Sequence, residues 1–311
     1  MVKETTISPK LKRKMLEEQI DNIINEELGI ADEVVKLADL IEKQVFSLLN
    51  QGITEKFFNV KTKLSDVNVD FIYKEFSNAE EALNWINKNG RSDGYSYQTN
   101  TIYLGVYLIG GVLNTFDLND TIMHECSHYW ECKKSGKTQY NDAYATIARG
   151  VSNWNPCISQ LCEILYYCDK HEINSFVNGT YSTAMKKKKH YGSYRQFIAD
   201  NGVSNLYVML RDAEEIVRSL EIKNSSSFFI AAFWLISNGI FNCEAEEVVD
   251  KIIKIAQNAY QYLISRIGKA YALYTARLKE EEEKLRDAQI KMMLQRYKIG
   301  TENNEKEKGE I

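Results

Sequence analysis

Proline and glycine, the two residues that most often interrupt regular structure, are scarce in this sequence. Only 2 prolines and 16 glycines occur in 311 residues, which predicts long helices with few irregular loops. No apolar run is long enough to span a bilayer, and the most apolar one, residues 228–236, is typical of a buried helix. The first residues contain no apolar signal core, so we expect no export by a standard signal peptide.

The sequence also has no C-x-x-C pair and no strong excess of charge. Without a signal segment, its 6 cysteines are expected to be reduced thiols in a cytoplasmic protein. A net charge of -4 gives no electrostatic reason to expect nucleic acid. The lysines at 186–189 are typical of a solvated helix end. We therefore expect a cytoplasmic protein that binds neither nucleic acid nor membrane.

Histidine is scarce as well, with 4 in the chain, yet two of them fall in one motif. Residues 121–130 read TIMHECSHYW, which contains H-E-x-x-H as His124, Glu125 and His128. On a helix, residues four apart lie roughly 40° apart around the axis, so both imidazoles can bind one metal ion. Glu125 lies about 100° from His124 and can reach a water without ligating the metal. The motif predicts a Zn²⁺ site with Glu125 as general base, against the alternative of a structural histidine pair.

Alternating apolar and polar residues predict strands at 67–74 and 99–107, before the motif. Ser77 and Glu80 form a predicted capping box for a short helix between them that ends at Gly90. We expect the second strand to be an edge strand. It either lines a cleft and pairs with an extended peptide, or is purely structural.

The motif itself is expected to lie on a helix that begins after Gly110 and Gly111. Asp117, Asn119 and Asp120 are its candidate N-caps and acidic first-turn residues. The helix is expected to end at about residues 133–136.

A catalytic zinc site usually has a third protein ligand, and the main candidates are Glu163, His171 and Glu172. Residues 157–184 are interpreted as one long helix, with a break near Gly179. On a straight helix Glu163 and Glu172 lie roughly 180° apart, so only one of them can face the metal. The Glu163 face is polar, whereas the Glu172 face is a largely apolar stripe of Leu161, Leu165, Cys168, Ser175, Phe176 and Gly179. A carboxylate on such a stripe is costly to desolvate unless it binds a cation, which favours Glu172 over Glu163 and His171.

H-E-x-x-H followed by Glu172 on a later helix resembles the gluzincin branch of the zincin metallopeptidases. Residues 172–176, with small Ser175 three after the glutamate, are similar to the E-x-x-A stretch of ImmA/IrrE-type peptidases and related phage and bacterial H-E-x-x-H proteins. Phe176 departs from thermolysin-like enzymes, which have an aspartate at that position, and the metzincin extension is absent after His128. The resemblance, over roughly residues 95–185, implies a zinc metallopeptidase with His124, His128 and Glu172 as ligands.

Such a peptidase also needs a group that stabilises the negative charge of the tetrahedral intermediate. Tyr167, Tyr181, His171 and His190 are the candidates, and the sequence does not rank them.

Helices are expected on both sides of the central region. An N-terminal hairpin is predicted for residues 1–58, with a first helix from Ser8 and a second helix that buries Val34, Leu37, Ile41, Val45 and Leu48. Residues 193–299 are predicted to contain helices at 207–220 and 227–240 and a long helix after Glu244. The apolar stripe of that long helix is Ile252, Ala256, Ala259, Leu263, Ile267, Ala270 and Tyr274. Residues 300–311 are expected to be a disordered tail.

The predicted fold is therefore α+β and predominantly α-helical, with a zincin-like catalytic core and a small sheet over residues 59–192. The leading functional hypothesis is a zinc-dependent metallopeptidase that acts on a peptide or protein substrate. The alternative is a phage-associated structural or assembly protein that retains a zincin fold without general protease activity. Either protein is expected to use its terminal helices for oligomer or assembly contacts.

Overall fold

A computed structural model of the chain describes residues 32–89, 93–109, 111, 115–135, 155–223 and 225–308. The fold is α+β and mostly helical, with one small mixed sheet of four strands, as the sequence predicts. The predicted N-terminal helix from Ser8, and Gly90 and Gly110, lie outside the described residues. None of the helices in the described part of the chain combines the length and apolarity needed to cross a membrane.

Helix α1, Asp32–Asn50, is the predicted second helix of the N-terminal hairpin. Its predicted apolar stripe is confirmed, because all five residues are buried, namely Val34, Leu37, Ile41, Val45 and Leu48. The helix is followed by Gly52, whose φ of +70° favours glycine. Through its buried stripe, α1 joins the main apolar core beneath the sheet.

The sheet has the strand order β1-β2-β4-β3. Strand β1, Glu55–Lys61, pairs antiparallel with β2, Asp66–Phe76, which pairs parallel with β4, Thr101–Ile109. The short strand β3, Gly94–Ser96, pairs antiparallel with the other side of β4. Helix α2, Ala79–Asn89, lies between β2 and β3 in the chain.

Both predicted strands are confirmed, as β2 and β4, but the position of the second one in the sheet is corrected. β4 is not at the edge along Thr101–Tyr103, because β3 pairs with it there. Strand β1 was not predicted from the sequence. Of its residues only Val60 is buried, and Phe57 is exposed. A strand with one weakly buried face shows no clear alternation of apolar and polar residues.

The start of α2 differs from the predicted capping box by one residue. The Asn78 side chain accepts a hydrogen bond from the Glu81 backbone N–H at 2.9 Å, and the Glu81 carboxylate accepts one from the Ser77 N–H at 3.0 Å. Asn78 and Glu81 therefore take the roles predicted for Ser77 and Glu80. Both sets of residues fit the same reciprocal pattern, so the sequence alone does not separate them.

The H-E-x-x-H motif lies on helix α3, Thr115–Ser135, which ends where the sequence predicts. The predicted caps Asp117, Asn119 and Asp120 instead lie inside the helix, because it begins earlier in the chain. Asn119 is buried and donates a hydrogen bond to Thr183 Oγ1 at 3.0 Å, so it joins two helices and does not cap one.

The predicted long helix after the motif is two helices, α4, Pro156–Tyr167, and α5, Lys170–Lys187. The break lies at Cys168 and Asp169, not near Gly179, and the Asp169 side chain caps α5 by accepting from the His171 N–H at 2.7 Å. Gly179 lies in the interior of α5, where a Cβ atom would come within 2.9 Å of the backbone oxygen of Asp120 on α3. Gly179 therefore permits the close approach of α3 and α5.

Five helices complete the described fold: α6, Tyr194–Ala199, α7, Ser204–Arg211, α8, Ala213–Lys223, α9, Ser225–Ser237, and α10, Val248–Lys308. The helix predicted at 207–220 is split at Asp212, and the one predicted at 227–240 corresponds to α9. All seven residues of the predicted stripe on α10 are buried, namely Ile252, Ala256, Ala259, Leu263, Ile267, Ala270 and Tyr274.

The end of α10 lies within residues 300–311, for which the sequence predicts a disordered tail. The helix continues to Lys308. This segment is rich in glutamate and lysine and has no proline, so its composition is compatible with helix as well as with disorder.

Two apolar clusters lie along α10. The larger contains the sheet, α1, α3, α5 and residues 259–278 of α10, and the smaller contains α4, α8, α9 and residues 248–256 of α10. The H-E-x-x-H residues lie beside the larger cluster, where α3 packs against α5. The domain boundaries drawn from the sequence stay predictions.

The contact of Gly179 with α3 makes a testable prediction. Gly179→Ala should lower the free energy of unfolding by about 1–3 kcal/mol, because the added methyl group forces the two helices apart. Gly268→Ala is the matched control, since Gly268 also lies inside a helix but has no atom within 4 Å of the added Cβ. It should leave stability unchanged or raise it by up to about 1 kcal/mol. Urea denaturation measures both, and equal stability of the two variants would contradict the close helix contact.

Candidate metal centre

The structure brings together the three residues that the sequence predicts as metal ligands. His124 and His128 lie on α3, and Glu172 lies in the first turn of α5. His128 Nε2 is 3.2 Å from Glu172 Oε1, His124 Nε2 is 3.4 Å from Glu172 Oε2, and the two Nε2 atoms are 2.9 Å apart. These three side chains form a largely buried group with donor atoms within 4.8 Å of one another, which could hold a metal ion.

The packing of α3 on α5 explains why these side chains converge. The histidines are four residues apart and therefore face the same side of α3. Glu172 is placed beside them by the start of α5, whose N-terminal backbone dipoles favour a negative charge. The ring of Phe176, one turn further along α5, lies against His124 with ring centroids 4.5 Å apart. Phe176 thus covers one side of the histidine.

The charges of the three groups depend on one another. Burial alone would raise the pKa of Glu172, but the neighbouring His128 and His124 outweigh burial and hold that pKa well below its ordinary value. Burial also disfavours the protonated form of His128, yet the Glu172 carboxylate raises the pKa of His128 to about 9. For His124, burial and the charge of His128 lower the pKa. The Glu172 carboxylate therefore stays ionised in this buried position only because a positive charge lies beside it.

A metal ion fits this requirement. It would supply the positive charge that the proton on His128 otherwise supplies, and it would displace that proton on binding. Tetrahedral zinc with ligand bonds of about 2.1 Å requires donor atoms about 3.4 Å apart. His128 lies 3.2 Å from Oε1 of Glu172 and His124 lies 3.4 Å from Oε2, so each imidazole is close to this spacing from a different carboxylate oxygen. Binding through one oxygen would require a small rotation of the carboxylate and a small separation of the imidazoles, whose Nε2 atoms are 2.9 Å apart.

Glu125 is buried beside this cluster, with 6% of its surface exposed. Its carboxylate accepts a hydrogen bond from the backbone N–H of Tyr95 on β3. Burial raises the pKa of Glu125 to about 8, and the charges of Asp93 and Glu172 act in the same direction while His128 opposes them. Its Oε2 atom is buried and has no hydrogen-bond partner among the described residues.

Asp93 is a second acidic residue close to Glu125, and no pattern in the sequence singles it out from its loop. Burial raises the pKa of its carboxyl group to about 6, although the Gly105 N–H donates a hydrogen bond to it at 2.6 Å. Asp93 directly precedes β3 and therefore lies at the start of the strand that contacts Glu125.

The alternative ligands lie outside the cluster. Glu163 is exposed on α4. His171 precedes Glu172, but its Nδ1 atom is 2.5 Å from the Glu131 carboxylate, and 56% of its side chain is exposed. Of these three candidates, Glu172 is the one that lies beside the two histidines, although the straight helix from which it was chosen does not exist. Its role as a metal ligand stays a prediction.

The residues suggested as stabilisers of a tetrahedral intermediate are dispersed. His190 is exposed and pairs with Glu282 of α10 at 2.6 Å. Tyr181 is buried in the main core. Of these candidates, Tyr167 is nearest to the site, because its ring packs against Phe176 with centroids 5.9 Å apart.

Tyr166 is near the site, and the sequence-based prediction did not select it. Burial, the Glu172 charge and hydrogen bonding to Glu172 raise the pKa of Tyr166 far above its ordinary value. A continuous helix through residues 166–172 would give Tyr166 no special relation to Glu172. Recognition of Asp169 as the N-cap of α5 was the sequence signal that could have revealed the break.

The group thus combines two imidazoles and a carboxylate that could bind one metal ion with a further buried carboxylate that can hold a proton. Comparison of the chain with protein-family models, curated proteins and solved structures finds no match in any of the three.

Proposed function

We propose that this protein is a zinc-dependent metallopeptidase with a zincin-like core. The observation that carries the proposal is the convergence of His124, His128 and Glu172 within 4.8 Å, with Glu125 buried beside them. Two neutral imidazoles and one carboxylate from protein are the ligand set of catalytic zinc sites in which a fourth position stays open. The proposal thus uses all four residues of this buried polar group.

Zinc is favoured over other cations by the donor atoms. Two imidazole nitrogens suit zinc and other transition metals, whereas magnesium and calcium prefer oxygen ligands alone. When bound, zinc supplies a Lewis acid that acidifies water and polarises a substrate carbonyl.

Glu125 is the proposed general base. Burial raises the pKa of its carboxyl group to about 8 in the metal-free protein. A cation bound by the neighbouring ligands would favour the ionised form, which can accept a proton from the attacking water and deliver it to the leaving amine. The Tyr95 N–H restrains one part of this carboxylate, and Oε2 is left for the water. His124, His128 and Glu172 would hold the cation beside this carboxylate.

A substrate peptide would lie along β3. This three-residue strand is the outer neighbour of β4, and its backbone contacts Glu125 directly. An extended peptide beside an edge strand is positioned by backbone hydrogen bonds. The protein strand expected to pair with an extended substrate is therefore β3 and not β4.

A second function, in assembly without general protease activity, is favoured by the surface of α10. Between Leu278 and Met293, where its side chains are described, this helix exposes four large apolar ones, namely Leu285, Ile290, Met292 and Met293. Such residues on a charged helix are suited to contact with another helix. The alternative predicts that the chain self-associates through α10 while no peptide is cleaved.

The metal site makes the first prediction of this proposal. Protein purified without chelators should contain about one zinc ion per chain by elemental analysis. His128→Ala and Glu172→Ala should each lose most of this zinc, because each removes one of three ligands. Equilibrium dialysis against zinc measures the loss.

Two matched variants test the choice of the third ligand. His171→Ala and Glu163→Ala should retain the full zinc content, since His171 pairs with Glu131 and Glu163 is exposed. Zinc loss in His171→Ala with retention in Glu172→Ala would contradict the assignment. Absence of zinc from the wild-type protein would contradict the metal site itself.

The role of Glu125 makes the second prediction. Glu125→Gln should keep its zinc but lose cleavage by about 100- to 10,000-fold, because the amide cannot accept the proton. Cleavage is measured by mass spectrometry of new termini in a complex peptide library, which requires no knowledge of specificity. Glu163→Gln, on an exposed face of α4, is the control and should cleave like the wild type.

Full activity of Glu125→Gln would exclude Glu125 as the base. If zinc-loaded wild-type protein cleaves no peptide in the library and associates through α10, the assembly function is favoured over the peptidase.

A further inference from the structure

The face of the sheet that is turned away from the main core carries a separate group of side chains. Phe71 of β2 and Leu104 of β4 are paired in the sheet and belong to the main core. Because side chains alternate along a strand, Lys74 and Phe76 of β2 and Tyr107 of β4 lie on the opposite face. The motif helix α3 contributes to the main core, so this group lies across the sheet from the candidate metal centre.

Helix α2 adds Trp85 to this outer face, where three aromatic rings meet. The ring centroids of Phe76, Trp85 and Tyr107 are 5.9 to 6.0 Å apart, and the ring planes are inclined to one another by 50 to 60°. Tyr107 lies back along its strand over Gly105, where a Cβ atom would overlap the tyrosine ring. Phe76 is buried, whereas Trp85 and Tyr107 are half-buried. These three inclined rings therefore line a partly open concavity, which we call the aromatic cage.

The ammonium group of Lys74 lies against this aromatic cage. Its Nζ atom is 4.6 Å from the ring centroid of Trp85 and 5.8 Å from that of Phe76. A cation within about 6 Å of a ring centroid is attracted by the negative face of the ring. Among the residues that the structure describes, Lys74 has no ion pair and no hydrogen bond from this nitrogen. The rings are thus what attracts the cation here.

The contacts of Lys74 indicate which kind of cation suits the aromatic cage best. A primary ammonium group has three N–H donors and is strongly hydrated, so aromatic faces leave its donors in need of water. A quaternary ammonium group has no N–H and places its methyl groups, which carry part of the charge, directly on the ring faces. Rings without a strong acceptor beside them therefore favour the quaternary ion over a lysine side chain.

We propose that Phe76, Trp85 and Tyr107 form a binding site for a quaternary ammonium group, which displaces the ammonium of Lys74. The ligand is a trimethylammonium compound, either a free one of the choline type or a trimethyllysine side chain of a peptide. The site is independent of the proposed peptidase, because none of its residues belongs to the metal centre.

The first experiment adds choline to the full-length wild-type protein. Choline should shift the indole N–H signal of Trp85 in heteronuclear NMR, while the indole signals of Trp130 and Trp234 stay unchanged as internal controls. The neutral isostere of choline, in which a tert-butyl group replaces trimethylammonium, should bind about 5- to 30-fold more weakly because it lacks the charge. Sodium chloride at the same ionic strength controls for screening.

Three variants test the roles of the side chains, with binding measured from the choline methyl signal. Lys74→Thr removes the competing ammonium and keeps strand propensity, so it should strengthen binding by about 2- to 5-fold. Trp85→Leu keeps an apolar side chain without the ring and should weaken binding by about 5- to 30-fold. Phe57→Leu is the matched control, since Phe57 is an exposed aromatic residue of the same sheet outside the aromatic cage. It should bind like the wild type.

A peptide with one trimethyllysine, compared with the same peptide carrying unmodified lysine, distinguishes the two sources of the ligand. Tighter binding of the trimethylated peptide than of choline assigns the aromatic cage to a peptide partner, and the reverse order assigns it to a free compound. In either case the unmodified peptide should bind more weakly than the trimethylated one.

Three results would overturn the inference. Equal binding of choline and its neutral isostere would show ordinary apolar contact, and equal shifts of all observed indole signals would show non-specific binding. No shift of Trp85 in either the wild type or Lys74→Thr would exclude the site. Each of these results leaves the metal centre untouched, and absence of zinc from the protein would leave the aromatic cage standing.

Discussion

The buried carboxylate of Glu172, held between two imidazoles, is the interaction on which the site depends. A carboxylate with 4% exposure is costly unless a positive charge and hydrogen bonds compensate for lost water. His128 and His124 provide these contacts from α3. A metal ion would supply a stronger and permanent positive charge at the same place, which gives the proposed zinc site its physical basis.

The surrounding fold serves to bring α3 and α5 close together. Asn119 joins the helices by a hydrogen bond to Thr183, and Gly179 lets the α5 backbone approach Asp120. At the other end, the break at Asp169 starts a new helix whose first turn presents Glu172. The strand β3 then brings its backbone to Glu125, so that the proposed base is fixed by the sheet and the proposed ligands by the helices.

The parts of the arrangement that could be predicted from the sequence depend on local spacing. The i, i+4 relation of His124 and His128 is independent of the rest of the fold, and the apolar neighbours of Glu172 indicated its burial. The residues that were missed depend on contacts between distant elements. Asp93 approaches Glu125 only because β3 lies beside β4. The charge of Glu172 acts on Tyr166 only because the chain breaks at Asp169. The edge position assigned to β4 failed for the same reason, since a three-residue strand has too little sequence pattern to be recognised.

The central claim is that one zinc ion is bound by His124, His128 and Glu172. Anomalous diffraction from crystals of the zinc-loaded protein, recorded on both sides of the zinc absorption edge, tests it most directly. The account predicts one strong peak, about 2.1 Å from Nε2 of each histidine and from one carboxylate oxygen of Glu172. A peak bound to His171 or Glu163 in place of Glu172, or no peak beside His124 and His128, would contradict it.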